Sequence, residues 1–336
     1  MQNAITSNAW LPRHSWSAQG NAIVDHAYHD FDAQAERLTS HGQEYLQLTE
    51  GKFYGRFISC ALGQQTSVHI EHANQALSQS IAGAPDTYAI GIVLSAGHVF
   101  RVNGTPIDHN AVFIIPPNVD FHLYSPQDAT ILACIVEKSH FEAKLAAAPF
   151  VSDRIAGHAD ITCLHAPTTA DRLRQDTFNA LRSCQAEIHS GFNPSLLGEA
   201  LVNSMIATLM LEWHGELRHL DRHTSKTFDR FLNVKTHLET IDAESTRPAD
   251  LSQSLALSKR SVQYAFANEV SLGVSGYHRH LRLHAIRRAL RNEADSHLTI
   301  GDIASQYGFW NWSHFSRQYA QLFGERPSDT GPVATE

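Results

Sequence analysis

At 336 residues the chain is long enough for two ordinary domains, each with its own core. Its 43% hydrophobic and 18% charged residues exclude a disordered chain, and no run reads as the roughly 18 apolar residues of a membrane span. The net charge of −8 would oppose a nucleic-acid partner if it were evenly spread, but residues 224–336 balance at +1 against −9 for the remainder, and Lys259 to Tyr319 stands locally at +4.

The start of the chain has neither a basic segment nor an apolar run, so the reading expects a cytoplasmic protein. Cys60, Cys134, Cys163 and Cys184 have no CxxC pairing and read as buried thiols in a reducing compartment. Residues 1–44 have weak periodicity and are taken as an N-terminal arm with one short helix. Short strand-like runs follow at Phe53–Leu62, Ser67–Ile70, Tyr88–Leu94, His98–Val102, Ala111–Ile115 and Thr130–Val136. Asn103-Gly104 carries a type I′ hairpin signal, and Pro116-Pro117-Asn118 closes a strand. Residues 45–140 are therefore expected to form a small antiparallel, cupin-like β-barrel.

From Ser139 the period becomes helical. Thr169–Ser190 and Pro194–Glu216 repeat apolar residues at three- and four-residue steps, with Asn193 and Pro194 as cap and first turn of the second. Residues 141–218 thus read as a helical dimerisation or linker region, whose apolar face is either core or dimer seam. The polar, His-rich Arg218–Lys226 reads as a linker. Residues 226–328 read as short helices and 329–336 as a tail, giving an α+β chain with an all-α C-terminal domain.

Two segments in that domain share one plan. Ala249–Leu255 forms a short helix, Ala256-Leu257 a turn, and Ser258 caps a second helix that buries Val262 and Phe266. Lys259, Arg260, Ser261, Gln263 and Tyr264 lie on or beside its outward face. Thr299 then caps a helix with Ile303 and Ala304 inward, Gly308 closes it, and Asn311 caps a helix that buries Phe315 and Tyr319. Trp312, Ser313, His314 and Arg317 are left outward. Each is a helix-turn-helix, and Arg and Gln on such a face can make bidentate contacts with guanine and adenine edges. Between them Ser275–Arg291 reads as a basic rod about 25 Å long. That would set two reading heads on major-groove faces about 34 Å apart, with Arg279, Arg282, Arg287, Arg288 and Arg291 placed for phosphate.

At this point residues 228–328 resemble the AraC-type double helix-turn-helix domain. The match rests on Leu281-Arg282-Leu283, Ala285, Arg287-Arg288 and Leu290, then on Ile303-Ala304, Gly308-Phe309, Ser313-His314-Phe315-Ser316-Arg317, and Leu322-Phe323-Gly324 with Pro327. Gly51-Lys52-Phe53-Tyr54-Gly55, Ser258 to Gln263 and Gly308-Phe309-Trp310 make the chain most similar, within that family, to regulators of ethanolamine-utilisation operons. The resemblance implies an effector-responsive transcription regulator that binds double-stranded operator DNA as a homodimer, takes a small-molecule effector and works with RNA polymerase. It implies no cofactor and no catalysis. It departs from the family at Ser252, where alanine is usual, at Tyr264, where a polar or basic reader is common, and after Pro327.

A metal-dependent cupin-type enzyme with an accessory helical domain is the alternative. His69, Glu71 and His72, with His98 or His122, invite it. Strand alternation puts His69 and Glu71 on one face and His72 on the other, which is the wrong spacing for three ligands on one wall, so no metal ligands are assigned. The sequence names no effector-binding residue.

Overall fold

The computed structural model describes residues 23–37, 42–155, 160–186, 193–213, 218–219, 226–240, 255, 257–292 and 298–331. The N-terminal half holds two antiparallel sheets. The larger contains β1 (Ile23–Tyr28), β3 (Gly55–Ala61), β4 (Thr66–Ala73), β6 (Thr87–Ser95), β9 (Ala111–Ile115), β11 (Ala129–Glu137), β12 (Thr162–His165) and β13 (Arg218–His219), in the order β1-β3-β4-β11-β6-β9-β12-β13. The smaller contains β2 (Gln43–Gln47), β5 (Leu77–Ile81), β7 (Phe100–Val102), β8 (Thr105–Ile107) and β10 (Phe121–Ser125), in the order β2-β5-β10-β7-β8. The expected barrel is thus an open pair of sheets. Phe100, Phe113, Ile115 and Leu123 fill the space between them. Asn103 (φ 45°) and Gly104 (φ 75°) make the expected tight turn between β7 and β8.

The other face of the larger sheet is covered by α2 (Lys138–Leu145), α3 (Pro149–Ile155), α4 (Pro167–Ala186) and α5 (Pro194–Trp213). These bury Phe141, Leu173, Leu181, Val202, Met205 and Leu209 with Ile90, Leu132 and Cys134 of the sheet. All four cysteines are free and buried. Glu212 near the end of α5 accepts from Thr168 N (2.6 Å), Thr169 N (2.9 Å) and Thr169 Oγ1 (2.5 Å), so one helix caps the first turn of the other. A Cβ at Gly198 would meet Leu62 O at 2.5 Å, so glycine lets α5 lie close on the β3–β4 turn. By length and composition Pro194–Glu212 would suffice to cross a membrane, contrary to the sequence expectation. Here it lays one face on the core instead. Leu196, Ala200, Asn203, Ala207, Met210 and Leu211 make up its exposed stripe.

The C-terminal half is all helical among the described residues. α1 (Phe31–Ala35) lies in the N-terminal half, and the C-terminal elements are α6 (Lys226–Thr240), α7 (Lys259–Val270), α8 (Val274–Arg291), α9 (Ile300–Gln306) and α10 (Trp312–Phe323), with a 3-10 turn at Pro327–Asp329. α6 buries Phe228, Phe231, Val234 and Leu238, an i, i+3, i+6, i+10 stripe, against α7 and α8. Most of the expected helix 249–255 and most of the 218–226 linker lie outside the described residues.

The two halves share cores. Leu46, Leu48 and Tyr124 of the smaller sheet and its edge join Phe231, Phe266 and Tyr277, and Phe31, Tyr45 and Phe53 join Ile286, Phe315 and Phe323. Neither helical cluster is closed without side chains from the N-terminal half.

Candidate DNA interface and interior cavity

Ser258 sits in extended backbone, and its Oγ accepts from Ser261 N at 3.1 Å, satisfying one of the orphan donors that open α7. The helix then buries Val262, Ala265, Phe266 and Val270. Lys259, Arg260, Gln263 and Tyr264 are consequently exposed and Ser261 half-buried. α7 ends at Ser271 in left-handed backbone (φ 54°), whose hydroxyl accepts from Tyr124 Oη at 3.1 Å.

The second unit repeats the logic with a full capping box. Thr299 Oγ1 accepts from Asp302 N (3.1 Å) and Asp302 Oδ2 accepts from Thr299 N (3.0 Å). The Thr299 hydroxyl, which donates to Asp302 Oδ2 at 2.6 Å, and the Thr299 amide hold the Asp302 carboxyl below its usual range. Gly308 takes φ 74°, and Asn311 Oδ1 accepts from His314 N (3.0 Å) to start α10. Phe315, Tyr319, Leu322 and Phe323 face in, while Asn311, Trp312, Ser313, His314 and Arg317 are exposed. Trp310, in the turn before the helix, is more exposed than Trp312, at 76% against 50%. Neither helix N-terminus carries an acidic residue in its first turn, so nothing there repels a polyanion.

The arginine rod requires correction. α8 is packed from two sides, and Arg287 is buried at 3% exposure. Its Nη2 lies 2.6 Å from Asp30 Oδ2, its Nη1 3.4 Å from Asp32 Oδ2 and its Nε 3.1 Å from Glu325 Oε1. The guanidinium also lies 4.6 Å from the Phe31 ring centroid. Burial disfavours its charge, but Asp30 and Glu325 outweigh that and hold it protonated. Arg291 pairs with Asp30 as well, and Arg282 donates to Tyr307 O and lies over Phe309. Arg287 therefore fastens α8 to α1 and does not face DNA in this arrangement. Nothing in the local sequence marks this, because its partner is 257 positions upstream.

Polar contacts extend the seam. Gln47 N donates to His284 Nε2 (3.0 Å), and Gln47 Nε2 donates to Leu322 O (2.6 Å) near the end of α10. Gly51 N donates to Gln321 O (2.9 Å), and a Cβ on Gly324 would stand 2.6 Å from Lys52 N. The β7–β8 turn reaches the other unit, where a Cβ at Gly104 would meet Glu269 Oε2 of α7 at 3.0 Å. Both helix-turn-helix units thus touch loops of the sheets.

Between the two sheets lies a cavity of about 50 Å³. Phe57, Phe113, Phe121, Leu123, Ile131 and Ile135 form most of its wall, and Gln43, His69, Glu71 and Gln79 form one end. His69 and Glu71 share a face, as alternation requires, while His72 turns away to Thr130 Oγ1 (3.1 Å). His122 lies outside this wall, 2.7 Å from Ser78 Oγ and against Phe231, so it supplies no further ligand beside His69. Glu71 Oε1 accepts from Gln34 Nε2 (2.9 Å) and lies 2.6 Å from Tyr45 Oη. Burial raises the Glu71 carboxyl above its usual range against the opposing pull of these two bonds. Tyr45, Gln43 and Gln79 have no sequence signature that could have singled them out. A wider cleft of about 920 Å³ separates β2 and β5 from α6 and α8, with Glu44, Lys235, Glu239, Arg282 and Arg288 on its walls.

Residues 251–331 match the family model described as a helix-turn-helix domain. XylDLEGF operon transcriptional activator 2 of Pseudomonas putida is 31% identical over 100 residues, covering 30% of this chain and 64% of that protein. XylDLEGF operon transcriptional activator 3 of the same organism is 28% identical over 167 residues, covering 48% and 49%. Transcriptional activator NphR of Rhodococcus sp is 27% identical over 174 residues, covering 52% and 50%. The chain thus spans between about half and 64% of the length of these relatives. Among solved structures, the AraC-like transcriptional activator CuxR aligns with 84% of this chain and 99% of its own, at 13% identity and a TM-score of 0.38. Residues 251–331 are a helix-turn-helix domain, of the kind carried by transcriptional activators.

Proposed function

We propose that the chain is an effector-responsive, sequence-specific DNA-binding transcription regulator of the AraC type, which sets two recognition helices in successive major grooves of its operator. The observation that carries this reading is the pair of capped helices, α7 and α10. Each buries an apolar stripe and exposes side chains able to read base edges: Arg260 and Gln263 on one, Asn311, His314 and Arg317 on the other. Lys259, Ser261, Tyr264, Trp312 and Ser313 complete the two faces.

In this reading residues 45–140 sense the effector in the intersheet cavity, residues 141–218 dimerise, and residues 226–328 read DNA in the cytoplasm beside RNA polymerase. Within the class we place the chain nearest the regulators of ethanolamine-utilisation operons, on the Gly51–Gly55 and Gly308–Trp310 strings. The seam through Arg287 and Gln47 gives the effector something to act on, since a ligand shifts an equilibrium only by binding one arrangement better than the other.

Gel-shift titration against operator and random DNA at two salt concentrations tests the reading. Selective, salt-sensitive binding that becomes less selective in Arg317→Ala supports it. Equal affinity for both DNAs contradicts it.

A further inference from the structure

Two tryptophans at the start of α10 are left largely in water. Trp310 is the most exposed large apolar side chain among the described residues. Trp312 is half exposed, and its ring rests on that of buried Phe315, with centroids 5.6 Å apart. The pair flanks the cap Asn311, so the rings form a local apolar surface at the helix end and not a single scattered residue. The same end exposes His314 and Arg317 and has no acidic residue in its first turn, so a polyanion meets no like charge there.

α7 is built on the same plan with different chemistry. At the first, second and fifth positions after its cap stand Lys259, Arg260 and Gln263, all hydrogen-bonding side chains; α10 has Trp312, Ser313 and Ser316 at those positions. At the sixth, Tyr264 of α7 corresponds to Arg317 of α10. The two helices therefore offer different groups to base edges. An indole has an apolar face, one N–H donor and no acceptor. In the major groove every base edge is wholly polar except that of thymine, which sets a methyl group beside its O4 acceptor. Thymine alone matches both the apolar surface and the single donor.

We propose that Trp310 and Trp312 read thymine methyl groups in the α10 segment of the operator, while α7 reads its own segment through hydrogen bonds. The assignment rests on the reading of α10 as a recognition helix, whose N-terminal residues meet base edges. Arg317 remains the hydrogen-bonding reader of the α10 segment.

Removing the methyl group alone tests this. Duplexes of about 40 base pairs, long enough for two major-groove segments one turn apart, are enriched on the full chain from a random pool. Each thymine is then replaced in turn by deoxyuridine. Arg260→Ala and Arg317→Ala mark the two segments by the positions at which each relaxes base preference. In the α10 segment at least one replacement should weaken binding about fourfold, the loss for one methyl returned to water. Replacements in the α7 segment should be nearly neutral. The penalty should shrink in Trp310→Ala and vanish when Trp312→Ala is added. Exposed Trp310 holds no core packing, so Trp310→Ala carries the test should the double variant fail to fold. An α10 segment without thymine, deoxyuridine tolerated throughout it, or a penalty unchanged in Trp310→Ala would overturn the proposal. Normal DNA binding by Trp310→Ala with lost transcriptional control would put the ring on a protein partner and overturn it as well. Enrichment without a methyl effect defeats the thymine assignment alone, whereas no enriched duplex defeats the regulator reading and this assignment with it.

Discussion

Arg287 in the central helix of the helix-turn-helix domain and Asp30 at the cap of α1 meet at 2.6 Å, across 257 positions of sequence. Asp30 Oδ1 also accepts from Ala33 N at 2.9 Å, so the residue that starts α1 also anchors α8. Burial pushes the Asp30 carboxyl up, but Arg287, the Ala33 amide and Arg291 hold it below its usual range. A single acidic cap therefore couples the N-terminal sheets to the helical C-terminal half.

Replacing Arg287 by alanine leaves Asp30, Asp32 and Glu325 without their central counter-charge in a half-buried site. We expect a loss of about 3 kcal/mol in urea unfolding. Its intrinsic affinity for random DNA should be unchanged, because the side chain is already occupied. Wild-type stability with uniformly weakened DNA binding would instead put Arg287 on the phosphate backbone.

Acid should loosen the same seam. Burial, aided by Lys235 and Arg279 respectively, holds His122 at about 3 and His280 at about 4, and burial with Arg288 holds His284 well below its ordinary value. These groups are neutral when folded and take protons only when unfolded. Their contribution is complete above about pH 6.5 and falls as pH drops toward about 4, by up to about 1.4 kcal/mol per pH unit for each. Glu71 and Glu269, whose carboxyls are raised by burial, act in the opposite sense. Comparing wild type with His280→Gln isolates the histidine part: the urea midpoint should fall less steeply from pH 7.5 to 5.5 in the variant. Parallel slopes would contradict a buried neutral His280.

Gly91 shapes the cavity from β6. A Cβ there would stand 2.0 Å from Phe113 Cζ, so the tip of the ring reaches the strand only because residue 91 has no side chain. Gly91→Ala should push Phe113 into the cavity and cost about 1–3 kcal/mol by overpacking. Thermal unfolding reads the cost, and loss of small-molecule binding with DNA binding retained reads the filling. An unchanged melting temperature would show that the ring is free to move.

The outer stripe of α5 leaves Leu196 at 68% and Leu211 at 74% exposed. Should this be the dimer seam, Leu211→Lys shifts the chain from dimer to monomer in sedimentation without lowering its melting temperature. A dimer that survives the substitution places the seam elsewhere.

What was legible in the sequence followed local rules. Ser258, Thr299 and Asn311 stand before apolar residues at helical spacing, so α7, α9 and α10 could be read from caps and periodicity alone. Ala111–Ile115 is apolar at every position because it is buried on both faces, and it was readable for that reason. β5 was not, since its Leu-Ser-Gln-Ser-Ile places Ser78 against Tyr277 and Gln79 toward the cavity. Polar residues that are buried against other polar residues look like a surface. The same holds for Arg287, whose helix reads as a basic face until the carboxylates it meets are known. The cavity end was half visible: alternation put His69 and Glu71 together, but only the fold brings Tyr45 and Gln79 to them.

If α7 and α10 read two segments of one operator, genomic footprinting at base resolution resolves both. The wild type should protect discrete sites with two major-groove segments about one helical turn apart. Arg260→Ala and Arg317→Ala should each relax base preference in one segment only, at about 1–3 kcal/mol. A single protected segment, equal losses at both segments from either variant, or no discrete sites would contradict it.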